Sequence, residues 1–261
     1  MTEKLIRNDK DYIAYLKLND NPANSLSSEM MRAIQAELTE IDTNPSIRVV
    51  VFESANEKIF CSGHSLTEVK DMMNDKNVQA QEKLFAQCSM MMKQIQKISK
   101  PAIAKVRGVA TAAGNQLVAS CDLAYGSEDS RYALPGANIG LFCHTPQVAV
   151  SRTIGRKATM EMLLSGEMID AAKAEKIGLI NKVISSADLD SEVEKVCETI
   201  NQKSAEVIAQ GKRSFYRQIE MGLTDAYAVT SQNMVKNLEL NDANEGISSF
   251  LEKRKPEWTN D

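Results

Sequence analysis

The stretch Gly108-Val109-Ala110-Thr111-Ala112-Ala113-Gly114-Asn115-Gln116-Leu117 decides how this chain folds, because it joins a strand-like run to a helix. The run 101–106 before it is apolar and of strand length, and the helical pattern continues to Ser120. Another apolar run, 48–52, suits a buried strand, and a helical pattern over 79–98 separates the two runs. This order of strand, helix, strand and helix predicts an α/β core.

The second half of the sequence is mostly helical in pattern. Asp170 fits an N-cap for a short helix over 171–176, and Gly178 fits its C-terminal cap. Three longer amphipathic patterns follow, at 188–200, 205–221 and 223–238. We therefore predict one α/β core at 1–200 and a helical C-terminal region at 201–261.

Composition narrows the classes of partner. The chain has 261 residues, of which 43% are hydrophobic and 25% charged, as is ordinary for a globular protein. Its net charge of −4 argues against a nucleic-acid binder. No apolar run approaches membrane-spanning length, and the N-terminus has no apolar signal core. We expect no nucleic acid and no membrane as partner, and no processed leader.

The five cysteines are widely spaced and odd in number, and no CxxC pair occurs among them. This usage favours reduced thiols and predicts a cytoplasmic protein. No cluster has the spacing of a metal site, so we predict no bound metal. Cys143 stands beside His144, which leaves two interpretations, a nucleophilic thiol or, as we favour, a small buried cysteine.

Four segments carry a family resemblance by their order and spacing. Besides the opening stretch, they are the loop 18–26, the segment Phe60-Cys61-Ser62-Gly63-His64-Ser65-Leu66 and the stretch Ala133-Leu134-Pro135-Gly136-Ala137-Asn138-Ile139-Gly140-Leu141. Together they resemble the signature segments of the enoyl-CoA hydratase/isomerase (crotonase) superfamily. The resemblance implies a spiral of ββα turns with a C-terminal helical trimerisation region, assembled as a homotrimer or a dimer of trimers.

The resemblance also implies an acyl-CoA thioester as ligand, with coenzyme A entering as part of the substrate and no separate cofactor. Ala23 and Ser62 lie in segments similar to those that contact CoA in the family. Phe250 and Lys253 match positions that approach the CoA adenine and phosphates, often from a neighbouring subunit. A lysine ammonium suits a phosphate as a point charge.

The chemistry that the resemblance implies is polarisation of the thioester carbonyl by two backbone N–H groups, an oxyanion hole. Aligned to the family pattern, the donors are the N–H groups of His64 and Ala113. Ala113 also opens the predicted helix, whose dipole would add positive potential at the carbonyl. Close approach there requires small residues, which Ala112, Ala113 and Gly114 supply.

Two positions depart from the family pattern. Hydratases of the family carry catalytic glutamates at the positions that match Gln116 and Gly136. Gln116 can hydrogen-bond a water but cannot accept a proton near neutral pH, and Gly136 has no side chain. We therefore do not expect hydration by two glutamates. Isomerases of the family usually have a carboxylate at the position that matches Gly136, so the resemblance also gives less support to an isomerase.

Other titratable residues near these segments offer alternatives. His144, in a turn that lies near the reacting carbons in hydratases, is either a proton-transfer residue or a partly exposed loop residue. The side chain of His64 is either functional or incidental, since its N–H alone serves the oxyanion hole. Glu68 faces either the ligand or, as we favour, the solvent, whereas we interpret Asp122 as structural.

Three functions stay open on the sequence alone. The first is an enzyme, a lyase or isomerase of fatty acid metabolism that stabilises the enolate of an acyl-CoA. Within this class, decarboxylation of a malonyl-type CoA demands the fewest groups, with His144 as proton donor. The second is a non-catalytic acyl-CoA binder or scaffold. The third, RNA binding, is disfavoured by the net charge and by the lack of a basic stripe with aromatic residues.

Overall fold

A computed structural model describes residues 3–259, so Met1 and Thr2, at the start of the N-terminal segment, lie outside it. Its strands are β1 Leu5–Lys10, β2 Ile13–Leu18, β3 Val49–Ser54, β4 Ile59–Cys61, β5 Ala102–Val106, β6 Val109–Thr111, β7 Leu123–Ser127, β8 Arg131–Ala133, β9 Ile169–Asp170 and β10 Lys182–Ile184. Its α-helices are α1 Ser28–Thr43, α2 Leu66–Asn74, α3 Val78–Lys97, α4 Ala113–Ser120, α5 Pro146–Thr153, α6 Arg156–Ser165, α7 Ala171–Lys176, α8 Leu189–Asn201, α9 Ala205–Gln218, α10 Leu223–Leu238 and α11 Asn241–Glu252. A 3-10 helix, Pro135–Ile139, follows β8. Within the described range, none of these helices has both the length and the apolar character that a membrane span requires.

The larger sheet has the strand order β1-β2-β3-β5-β7-β10. β1 pairs antiparallel with β2, and the other neighbours in this sheet are parallel. β3 and β5 are apolar and largely buried, as parallel strands between layers of helices require. They correspond to the predicted runs 48–52 and 101–106, so the structure confirms both strands.

The smaller sheet has the order β4-β6-β8-β9, with β4, β6 and β8 parallel. Successive strand pairs contribute one strand to each sheet, first β3 and β4, then β5 and β6, then β7 and β8. A helical segment follows each pair, which gives the repeated ββα turn of the predicted spiral. The carboxyl ends of β4, β6 and β8 consequently meet at one edge of the smaller sheet.

Helix α1 shows how the helices cover the sheets. Ser27 caps it, because the Ser27 side chain accepts a hydrogen bond from the N–H of Met30. Its apolar residues recur at helical spacing, so they form one face that is fully buried. The members of this face are Met30, Met31, Ile34, Leu38 and Ile41.

The predicted helix ends are correct in part. Asp170 caps α7 as predicted, since its carboxylate accepts from the N–H of Lys173. The cap at the other end is Ile177, so Gly178 is the residue after the cap, where its φ of +83° suits glycine. Helix α9 ends at Gln218 and not at 221.

The C-terminal helices dock on the core through a buried ion pair. Helix α9 packs against α3, and Lys212 Nζ lies 2.7 Å from Asp122 Oδ2. Tyr216 donates to the other Asp122 oxygen at 2.8 Å. Asp122 is therefore structural, as the sequence predicts, whereas the division of the chain at residue 200 stays a prediction.

Candidate functional site

Three loops meet at the carboxyl edge of the smaller sheet. They follow β4, β6 and β8 and comprise residues 62–65, 112–113 and 134–143. Strand β6 lies between the other two strands, so the loop that opens α4 lies between the other two loops. Ligands of α/β sheets bind at the carboxyl ends of strands, so this edge is the candidate site.

The first and second loops touch each other. Gly63 has a φ of +97°, and a Cβ placed on it would lie 3.0 Å from Ala113 N and 2.9 Å from Ala112 Cβ. Glycine is needed here for the backbone conformation and for the close approach. The N–H groups of His64 and Ala113 therefore lie on adjoining segments. Within residues 3–259, no protein acceptor takes either N–H group.

The amino end of α4 is enclosed by protein. All residues of Ala113–Ser120 are buried, and the first N–H groups of a helix have no acceptor within it. Gly114 packs directly on β4, because a Cβ placed on it would overlap the Cys61 carbonyl oxygen and lie 2.7 Å from the Cys61 carbonyl carbon. Gly114 is therefore needed for the packing of α4 on β4, and the need for small residues at the oxyanion site stays a prediction.

Ala112 immediately precedes α4 in a conformation that favours glycine. Its φ is +51° and its ψ is −119°, and a side chain in such a conformation costs about 1–3 kcal/mol. Its N–H donates to the Ala133 carbonyl at 3.0 Å, which fixes the second loop to the end of β8. The surrounding structure thus holds a strained residue beside the candidate oxyanion donors.

We expect Ala112→Gly to raise the free energy of unfolding by about 1 kcal/mol, because the relief of strain exceeds the added chain entropy of glycine. Urea denaturation measures this change. Ala112→Val, which adds a branched side chain in the same conformation, should lower the free energy of unfolding. A less stable glycine variant would show that the backbone is unstrained at this residue.

Gln116 lies inside the protein and is only 4% exposed. Its Oε1 lies 3.9 Å from the Cys88 thiol on α3, which donates a weak hydrogen bond. Burial raises the pKa of Cys88 to about 12, so the thiol stays protonated. Gln116 therefore has a protein partner, and neither group supplies a base. The neighbouring Asn115 is fully buried, and its amide has no partner among the described residues.

Gly136 has no room for a side chain. A Cβ placed on it would lie 2.6 Å from the Leu141 carbonyl oxygen and 3.0 Å from Cys143 Sγ. The loop that returns from the 3-10 helix fills the space that a larger residue would need. Cys143 is buried, and burial raises the pKa of its thiol, so the interpretation as a small buried cysteine is confirmed.

The structure brings Ala23 and Ser62 together, since the N–H of Ser62 donates to the Ala23 carbonyl at 3.1 Å. Asn24 holds this loop in place. It is fully buried, and its Nδ2 donates to Ser54 Oγ at 2.7 Å and to the Ile59 carbonyl at 3.0 Å. Sequence reasoning missed Asn24. Its φ is +47°, in the left-handed region, which asparagine adopts more readily than most residues. An asparagine just after a proline-containing turn was therefore the signal that could have found it.

The side chain of Glu68 is half-buried and is bound by the protein. Ser65 caps α2 by accepting from the N–H of Glu68 at 3.3 Å. The Glu68 carboxylate accepts from the N–H of Ser28, the first residue of α1, at 3.0 Å. A carboxylate is stabilised at a helix N-terminus by the free N–H groups and the dipole. The preference for a solvated Glu68 is correct only in part, because the half-buried carboxylate also joins α2 to α1.

The His64 ring is half-buried between two elements. Its Nδ1 lies 3.3 Å from the Leu26 carbonyl oxygen. The His64 and Phe85 rings are nearly perpendicular, at 87°, with centroids 5.3 Å apart. Its Nε2 is buried and has no partner in the described chain. Burial lowers the pKa of His64, which favours the neutral imidazole.

His144 lies in the third loop region, just before α5. His144 is exposed, and its ring packs on Phe142 with centroids 5.2 Å apart. Helix α5 lies alongside α4, and Thr153 at its end donates to the Ala119 carbonyl near the end of α4. The two helices therefore run in the same direction, which places His144 at the same end of the pair as Ala113.

Phe250 and Lys253 belong to a different part of the fold. They lie on and just after α11, which packs against α10. Phe250 is 81% exposed, and Lys253 is the C-terminal cap of α11 with a φ of +58°. Their contact with CoA stays a prediction.

Comparison with known proteins identifies the family. A sequence model of the enoyl-CoA hydratase/isomerase family matches residues 8–261. The chain belongs to this family. Enoyl-CoA hydratase domain-containing protein 3 of Xenopus laevis is 44% identical over 92% of this chain and 81% of its own length. The human protein of that name is 41% identical over 93% of this chain and 79% of its own length.

Solved structures agree with the membership in the enoyl-CoA hydratase/isomerase family. An enoyl-CoA hydratase from Mycobacterium smegmatis superimposes with a TM-score of 0.93 at 43% identity, over 98% of this chain and 99% of that one. The structure of human enoyl-CoA hydratase domain-containing protein 3 superimposes with a TM-score of 0.93 at 39% identity, over 98% of this chain and 100% of that one. The predicted crotonase fold is therefore confirmed.

The predicted cytoplasmic location is contradicted by these relatives of the enoyl-CoA hydratase/isomerase family. The Xenopus laevis, human and mouse proteins, at 41–44% identity, are all named as mitochondrial. Cysteine usage reports the redox state of a compartment and not its identity, so reduced thiols did not justify the narrower prediction.

Proposed function

We propose that this protein binds an acyl-CoA thioester at the carboxyl edge of the smaller sheet, and that the N–H groups of His64 and Ala113 stabilise the oxygen of its enolate. One observation carries the proposal. The two N–H groups lie on touching loops and have no acceptor in the described chain. Buried N–H groups are almost always paired, and Ala113 is fully buried, so its free N–H calls for an incoming oxygen.

The two donors act where negative charge develops. As the thioester becomes an enolate, its oxygen gains charge, and donors fixed in advance stabilise that charge more than the neutral carbonyl. The positive end of α4 adds to the same potential. Each donor of this kind is worth about 10²–10³ in rate.

Hydration by two carboxylates does not fit this site. The amide of Gln116 already accepts from Cys88, and the space beside Gly136 is filled by Leu141 and Cys143. These contacts favour a second candidate function, a thioester binder without turnover. The enzymatic alternative is lyase or isomerase chemistry through other groups, which includes decarboxylation of a malonyl-type CoA.

We also propose that the protein assembles as a homotrimer or a dimer of trimers through its C-terminal helices. Large apolar side chains in the region of α9–α11 are exposed in the single chain. A monomer rarely exposes so many large apolar side chains in one region. They are Phe215, Ile219, Leu223, Tyr227, Met234, Val235, Leu238, Ile247, Phe250 and Leu251. In such an assembly Phe250 and Lys253 would reach the CoA of a neighbouring subunit. Light scattering tests the assembly, and a monomeric mass would contradict it.

Ala113→Pro tests the oxyanion proposal directly. Proline at the first position of a helix removes the N–H and leaves the hydrogen bonds within the helix intact. Circular dichroism checks that the variant folds, because Ala112 lies outside the β region that the residue before a proline favours. We expect calorimetry to show butyryl-CoA binding at least about tenfold weaker, because one hydrogen bond to the thioester is lost. Arg156→Pro, at the first position of α6 and exposed, is the matched control and should bind like the parent. Unchanged binding in a folded Ala113→Pro variant would contradict the proposal.

A panel of thioesters separates the candidate reactions. The pure protein is incubated with crotonyl-, malonyl-, methylmalonyl-, 3-enoyl- and long-chain saturated CoA, and the products are identified by mass spectrometry and NMR. Loss of carbon dioxide or a shifted double bond would establish an enzyme. Saturable binding without change would establish the binder. Gain of water would contradict the exclusion of hydration, and no binding of any thioester would overturn the proposed function.

A further inference from the structure

The His64 imidazole is held in one tautomer. Its Nδ1 lies 3.3 Å from the Leu26 carbonyl oxygen, which can only accept, so we assign the proton to Nδ1. The position of Leu26 is itself fixed, because its N–H donates to the Gly63 carbonyl at 2.7 Å. Nε2 therefore carries a free lone pair.

This lone pair is an unmet acceptor inside the protein. Nε2 is buried, and no donor among residues 3–259 reaches it. An unpaired buried acceptor costs about 1–3 kcal/mol, so the fold keeps it against a penalty. The backbone N–H of His64 is a proposed donor to the thioester oxygen, so Nε2 belongs to a residue that would contact the bound thioester.

Three other polar side chains, those of Glu68, Asp122 and Gln116, are engaged within the protein, and His144 is the competing base that the exchange experiment below tests. Glu68 accepts from the N–H of Ser28 at 3.0 Å. Asp122 pairs with Lys212 at 2.7 Å. The amide of Gln116 cannot accept a proton near neutral pH. Glu68, Asp122 and Gln116 each have a partner in the protein. Nε2 of His64 has none among the described residues.

We propose that Nε2 of His64 is the base that removes the α-proton of the bound thioester, an inference that rests on the proposed function. The Cα–H bond breaks and its proton bonds to Nε2. The electron pair of that bond forms the carbon–carbon double bond of the enolate, and the carbonyl π pair moves to the oxygen held by the N–H groups of His64 and Ala113. Return of the proton restores the thioester, and after the imidazolium has exchanged with heavy water a deuteron is returned instead.

The surroundings of the ring suit this role. Burial lowers the pKa of His64, so the neutral base is the form present near pH 7. Glu68 on α2 is the charged group that acts on it, in the opposite direction. Phe85 on α3 and Leu26 before α1 carry no charge. The Leu26 carbonyl and the Glu68 carboxylate would both stabilise the imidazolium once it forms.

The tautomer can be tested without turnover. The chain contains two histidines, so the ¹⁵N spectrum of its rings holds two sets of signals, and His144→Gln assigns them. We expect His64 to show a protonated Nδ1 and a bare Nε2 at pH 7, with the Nε2 signal shifting when butyryl-CoA is added. A ring protonated at Nε2 would overturn the proposal, and so would an Nε2 signal that does not shift when butyryl-CoA is added.

The reaction is tested by the exchange of the α-protons of butyryl-CoA in heavy water, followed by mass spectrometry. His64→Gln keeps the backbone N–H, so it should retain butyryl-CoA binding while exchange slows by about 10²–10⁴-fold. Asp71→Asn is the control, because it removes one negative charge from α2 at an exposed residue that has no part in the proposed chemistry. We expect its exchange rate to change by less than about tenfold.

The remaining outcomes are decisive. Exchange that survives in His64→Gln, or that is lost in His144→Gln while His64→Gln keeps it, would overturn the proposal. A parent protein that binds butyryl-CoA without exchanging its α-protons would overturn this inference and leave the proposed function standing. Absence of binding would overturn the proposed function as well. If His64→Gln does not fold, the tautomer measurement decides.

Discussion

Gly114→Ala should lower the free energy of unfolding by about 3 kcal/mol, among the largest effects of any single methyl group added to this chain. The added Cβ would overlap the Cys61 carbonyl oxygen and lie 2.8 Å from Cys61 Cβ. Backbone atoms of β4 cannot turn aside as a flexible side chain would, so α4 must move away from the sheet. The free N–H of Ala113 would move with it, and butyryl-CoA binding should be lost.

Gly211→Ala is the matched control for this experiment. Gly211 lies on the exposed side of α9, and a Cβ placed on it meets no atom within 4 Å. Alanine should therefore raise the free energy of unfolding by about 0.5–1 kcal/mol, because glycine is a poor helix former. Urea denaturation should show that the free energy of unfolding falls in Gly114→Ala and rises in Gly211→Ala. Equal small effects would show that β4 and α4 do not pack as closely as described.

The sequence predicts the parts of the fold that have a strong pattern. Runs such as 48–52 and 101–106 are buried on both faces, so their apolar character is continuous and visible. Strand β1 lies at a sheet edge and only its first residue is buried, so it shows no apolar run. Strands β4, β6, β8 and β9 are too short for any periodicity to register. These short strands were recoverable only through the family resemblance.

The candidate site was predictable in its residues but not in its contacts. His64, Ala113 and Gly136 follow from motifs, and the sheet order then shows why they share an edge. The contact of Glu68 with Ser28 joins residues far apart in sequence, and no local pattern reports it. The free Nε2 of His64 depends equally on the position of the Leu26 carbonyl. Long-range contacts of this kind arise from tertiary packing, which single-sequence patterns do not encode.

Lys212→Met should lower the free energy of unfolding by about 3–5 kcal/mol, because it leaves Asp122 as a half-buried charge without its cation. The Lys212 side chain is 6% exposed. Its ammonium makes three contacts, with Asp122 Oδ2 at 2.7 Å, the Lys100 carbonyl at 2.8 Å and the Ile95 carbonyl at 2.9 Å. Methionine keeps most of the volume and removes all three. Since α9 is joined to the core through this group, the C-terminal helices should also detach. Light scattering should then show that the proposed assembly dissociates.

Arg213→Ala is the control for that variant, because the next residue along α9 forms an exposed pair with Glu206 that should contribute no more than about 1 kcal/mol. Adding Asp122→Asn to Lys212→Met removes the unpaired charge and should restore part of the lost stability. Urea denaturation of the parent, Asp122→Asn, Lys212→Met and the double variant gives the coupling free energy between Asp122 and Lys212. If Lys212→Met were no more damaging than Arg213→Ala, the buried pair would not be what holds α9 to the core.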